Sequence, residues 1–121
     1  MIQQIHKHFD LEGVTLHVEG QPQPTKITGP RAEIKVFGPH VIQHNGEEYT
    51  SVTVRIELTF PRVLGTLFTW YTLAQKYVEQ AKLPLHDGDD CLILDDTEMQ
   101  YRGAIENLEY CFVEISYHKE T

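Results

Sequence analysis

The chain has 121 residues and a formal charge of −8, with 40% hydrophobic and 23% charged residues. That size fits one domain with its own core. The acidic balance excludes a protein whose main task is gripping a phosphate backbone, which needs a basic patch.

Cys91 and Cys111 are the only cysteines, too few for a disulfide framework. Both lie in apolar, strand-like runs, so two reduced, buried thiols in a cytoplasmic protein are expected. The polar, histidine-bearing stretch from Met1 to Asp10 has no apolar signal-peptide core. No apolar run approaches the roughly 18 residues of a membrane span, so no membrane partner is expected.

In chain order, Ile2, Ile5 and Phe9 fall on one stripe of a short first helix. Gly13 to Glu19 alternates, with Val14, Leu16 and Val18 on one side, as in a half-buried strand. Gln21 to Pro30 holds three of the six prolines. Proline fixes φ and removes a donor, so this stretch is an extended connection, of a kind often used as a partner-contacting arm.

Arg31 to Phe60 reads as a long β-hairpin about Asn45-Gly46. A two-residue loop there, with no irregularity, would set Val36 opposite Arg55 and split the apolar set between faces. Either the loop has three residues or a bulge adds one, at Gly38-Pro39. The distal part, with His40, His44, Glu47 and Glu48, is polar enough to project.

A helix over residues 64–83 follows Pro61 and stops at Pro84. Leu67, Tyr71, Ala74, Val78 and Ala81 mark its apolar stripe, which Trp70, Leu73 and Tyr77 widen. His86 to Asp90 reads as a loop, 91–95 as a short strand, Asp95 to Glu98 as a turn and 108–117 as the last strand. The expectation is a single α+β domain over 1–121: an antiparallel or mixed sheet with one main helix on one face.

The chemistry-bearing residues are sparse. Asp87, Asp89, Asp90, Asp95, Asp96 and Glu98 suggest a cation loop, but Leu92 stands where a calcium loop needs glycine. The seven histidines form no metal-ligand spacing; His40 and His44 would sit about 13 Å apart on a strand. Ser51 and Ser116 lie in no nucleophile elbow, and no glycine-rich phosphate loop is present. The chain is expected to bind no metal or cofactor and to catalyse nothing.

What remains suits assembly: the arm (Pro22, Pro24, Lys26), the hairpin tip (His40, His44, Glu47, Glu48) and the helix flank (Trp70, Leu73, Tyr77). Large aromatics anchor interfaces, and open strand edges can be covered in an oligomer.

Arg31-Ala-Glu-Ile-Lys-Val-Phe-Gly-Pro, Tyr49-Thr-Ser-Val-Thr-Val-Arg-Ile-Glu-Leu-Thr-Phe-Pro and the helix Leu67 to Ala81 carry a resemblance. In this order of elements the chain resembles the tail terminators and neck (head–tail joining) proteins of long-tailed bacteriophages. The resemblance is architectural and transfers no site residue. It implies a virion protein, made in the host cytoplasm, that forms a hexameric ring capping the tail tube and meeting the head connector, without enzymatic activity and without sequence-specific nucleic-acid binding. The alternatives are another minor tail or neck component, or a non-virion protein-binding module of similar fold.

Overall fold

The computed structural model describes residues 2–18, 22, 27–62 and 69–119. Helix α1 (Ile2–His8) leads into β1 (Thr15–Val18), then β2 (Arg31–His44) and β3 (Glu47–Pro61). Helix α2 (Thr69–Ala81) follows, then β4 (Leu85–Asp87), β5 (Asp90–Ile105) and β6 (Leu108–Lys119). The strands form one six-stranded sheet in the order β1-β2-β3-β6-β5-β4. Among the described strands only β1 and β2 run parallel, so the sheet is mixed and the chain is broadly α+β, with strand predominating.

Alternation sets the faces. Ala32, Ile34 and Val36 of β2 stand opposite Leu58, Ile56 and Val54 of β3, and those stand opposite Cys111, Val113 and Ile115 of β6. Directly opposed residues share a face. All but the half-buried Val36 are buried there, and together with Val52 and Tyr117 they form the inner face. Each buried valine, leucine or isoleucine contributes roughly 1.5–3 kcal/mol, so this face is the main source of stability.

Helix α2 buries Leu73, Ala74, Tyr77, Val78 and Ala81, a helical stripe that belongs to the same core cluster as the inner face. Ile5 and Phe9 bring α1 into that cluster, with Phe9 beside Tyr77 at 6.5 Å between ring centroids. A reciprocal pair of hydrogen bonds joins the helices. His8 Nε2 donates to the Gln80 carbonyl at 2.9 Å, and the Gln80 amide donates to the His8 carbonyl at 2.8 Å.

Asn45 and Gly46 both have positive φ, 53° and 79°, as the tightest strand-to-strand turn requires. The register shift between β2 and β3 falls between Phe37 and His40, at Gly38-Pro39, which is where the alternation argument needs an inserted residue. Gly38 has φ +106°, and a Cβ there would lie 2.9 Å from the Ser51 carbonyl oxygen.

Four expectations are corrected. The short strand 91–95 is part of β5, which runs from Asp90 to Ile105 and includes the expected turn Asp95–Glu98. Carboxylates break the apolar pattern of a buried strand, but this strand is near the sheet's edge, where its outward side chains stay wet. The extra residue at Asp95 is absorbed as a bulge between Leu94 and Asp96. The expected loop His86–Asp90 holds most of β4, paired through Leu85 to Leu92, and the last strand extends to Lys119. Cys91, expected to be buried, is half-buried because it lies opposite His86 on the outward side of that corner; Cys111 is buried. The helix residues 64–68 and most of the proline-rich connection, including Pro24 and Lys26, lie outside the described residues.

Candidate assembly surface

The sheet's two flanking strands are short. β1 covers β2 only over Arg31–Ile34, and β4 covers β5 only over Asp90–Leu92. Among the described residues, no strand lies beyond β2 from Lys35 to His44 or beyond β5 from Ile93 to Ile105. Among the described residues both stretches leave backbone groups facing outward, interrupted at Pro39, which has no donor, and at the bulges of β2 and β5. The runs between these interruptions can pair with another strand.

The two edges differ in charge. Lys35, His40 and His44 punctuate the β2 edge, which has no carboxylate between Lys35 and His44. The β5 edge carries Asp95, Asp96 and Glu98 within four consecutive residues, with Arg102 further along.

The outer face, opposite the core, carries a row of charges. Lys35, Arg55, Glu114 and Glu98 stand at one level across β2, β3, β6 and β5. Arg55 Nε donates to Glu114 at 3.2 Å, and Lys35 Nζ lies 3.3 Å from Glu57. These side chains are about one-third exposed, so each pair adds well under about 1 kcal/mol and fixes geometry more than stability. The Arg55 guanidinium also lies 4.2 Å over the Phe112 ring. That stacking explains why Phe112, on the solvent side of the sheet, is buried. Beside it a trough of about 470 Å³ is lined by Arg31, Glu33, Glu57, Arg102, Tyr110 and Phe112.

Every residue from Phe37 to Glu48 is exposed, including the large apolar side chains Phe37, Val41 and Ile42. His40, His44, Glu47 and Glu48 all lie on this distal β2–β3 ladder, and Gln43 Nε2 donates to Glu48 at 3.1 Å. Pro22 is exposed. The helix flank is different. Leu73 and Tyr77 are core residues, because the buried stripe of α2 turns them toward Phe9 and the sheet, and they offer no surface to a partner. Trp70 is half-buried between Tyr71 and Tyr101, at 5.8 and 5.6 Å between centroids. Tyr71 is the exposed aromatic of that helix, in a shallow groove with Leu11 and Leu83.

The acidic corner is largely committed internally. Lys119 Nζ meets Asp87 at 3.0 Å and Asp90 at 3.2 Å, and His118 Nδ1 meets Asp95 at 2.6 Å. Among the described residues no three histidine, cysteine or acidic side chains converge as a metal site, and no helix is long and apolar enough to cross a membrane. Alternation could reveal the hairpin tip, but not that β1 and β4 would be too short to cover their neighbours. Strand order brings about that pairing, and it leaves no local signal. No protein-family model matches the chain, and no characterised protein matches it by sequence.

Proposed function

We propose that this protein is a structural assembly component that works by joining copies of itself and neighbouring proteins, in the manner of the phage tail terminators and neck proteins it resembles. In that reading, β2 and β3 form a projecting hairpin, α2 is the helix packed on one sheet face, and the assembled form is a ring on a tail tube, in the virion. The observation that supports it most is the distal β2–β3 ladder, which displays Phe37, Val41 and Ile42 to solvent. These side chains lie on both faces of the ladder, away from the core, where a partner surface can cover them.

Native mass spectrometry and light scattering at micromolar protein, with and without purified tail tubes, test this. A discrete oligomer or a tube-bound ring is the expected result. A chain that remains monomeric and leaves tail tubes unbound overturns it. The binding-module alternative would use the acidic corner against a basic partner, but Lys119 already occupies Asp87 and Asp90.

A further inference from the structure

The open edges on opposite sides of the sheet are complementary, and we infer that the β5 edge of one copy pairs antiparallel with the β2 edge of the next. This rests on the assembly reading above and names the contact that would carry it.

Strand direction comes first. β2, β3, β6 and β5 are each antiparallel to the next, so β5 runs opposite to β2 within one copy. If neighbours are related by rotation with their sheets continuing side by side, the β5 of one lies beside the β2 of the next in antiparallel orientation. That pairing needs no crossover connection and forms the more stable of the two ladder types.

The register follows from β1 and β4. They occupy opposite corners: β1 sits at the level of Met99–Gly103 across the sheet, and β4 at the level of Val41–Gln43. An unshifted neighbour would drive its β1 into β5 and its distal β2 into β4. Sliding the neighbour along the strands by about six residues clears both corners, and a closed ring of strands requires such a stagger. The slide is even, because an odd one would turn the inner face outward. It lays Lys35–His44 along the open part of β5 and brings His44 opposite Asp96 and Ile42 opposite Glu98, on the same outer face.

The chemistry agrees with this placement. With Asp95 held by His118, the receiving edge offers Asp96 and Glu98, and the incoming edge has no carboxylate. Glu47 and Glu48 lie one strand further back, and Gln43 holds Glu48. Like edges do not match in this way: two β5 edges would oppose carboxylates, and two β2 edges would bring no carboxylate to His40 and His44. The contact is therefore head-to-tail, which generates a ring when the rotation closes.

Disulfide trapping tests the inference in a Cys91→Ser background, since Cys111 is buried. Ile42→Cys is combined with Asp96→Cys or Glu98→Cys, all at exposed positions that leave the core intact. On oxidation, the double variants are expected to give a ladder of covalent multimers on a denaturing gel, ending at the ring size, and each single variant none. Mixing the two singles should give heterodimers only. An oligomer by native mass without a ladder overturns the edge pairing and leaves the assembly reading standing. Homodimers from a single variant show like edges meeting, which overturns the head-to-tail contact. A monomer by native mass, alone and with tail tubes, overturns both.

Discussion

Lys119 Nζ donates to Asp87 Oδ2 across 3.0 Å, tying a central strand of the sheet to its shortest edge strand. The hydrogen bond holds the Asp87 carboxyl below its ordinary value of 3.8 and, with Asp90, holds the Lys119 ammonium above its ordinary 10.5. A lowered carboxyl contributes stability above its unfolded value, and that contribution is lost as pH falls through the folded one. A raised ammonium contributes stability below its unfolded value, and that is lost as pH rises through the folded one. The clasp is therefore complete between those two ordinary values. Lys119→Met should speed amide exchange in Leu85–Asp87 throughout that window and leave Val52–Leu58 unchanged, as hydrogen exchange would show. Equal exchange in both variants would mean the clasp does not hold β4.

The backbone at Gly38 has room for no side chain. Gly38→Ala should destabilise the protein by about 1–3 kcal/mol, from the positive φ and the contact with the Ser51 carbonyl. Urea titration measures it. Gly46→Ala has positive φ but open space around it, so its cost should be smaller.

Tyr77 has a buried hydroxyl with no hydrogen-bond partner, and burial pushes its pKa up. Tyr77→Phe removes that unpaired group and keeps the ring, so stability should stay level or rise by about 1 kcal/mol. Tyr77→Ala opens a cavity and should cost about 3–5 kcal/mol. Thermal denaturation of both variants separates the hydroxyl from the ring; a large loss for the phenylalanine variant would show the hydroxyl is bonded after all.

The two thiols should differ in reactivity. Burial, with Glu109 nearby, pushes Cys111 up to about 12, so very little thiolate exists at pH 8. Cys91 is half-buried at the β4–β5 corner. Iodoacetamide on the native protein should label Cys91 first, and Cys111 only after unfolding, as peptide mass spectrometry reads. Early labelling of Cys111 would show that the inner face opens without global unfolding.

The alternation of Ala32, Ile34, Val36 and of Val52 to Phe60 made the central sheet readable, because each strand there has one buried face. The Asn45-Gly46 turn and the Gly38-Pro39 irregularity were legible for the same reason: one residue of slip would turn the apolar row outward. β5 was not legible. Its exposed positions carry Asp95, Asp96 and Glu98, its burial alternates weakly and two bulges break its period. Leu73 and Tyr77 looked like flank residues because helical spacing gives a stripe but not its angular centre; packing against Phe9 decides that. The open edges depend on strand order, which no single segment encodes.

β6 pairs with β3 on one side and β5 on the other, yet of the eight described elements it comes last in sequence. During translation, β2 and β3 can meet early, since they are joined by a two-residue turn. The row Val52 to Phe60 then has no partner on its other side until Leu108–Lys119 emerges from the ribosome. A nascent chain that pauses before that point offers an apolar strand to any chaperone or neighbouring chain, so slow codons in the stretch encoding β5 should lower soluble yield.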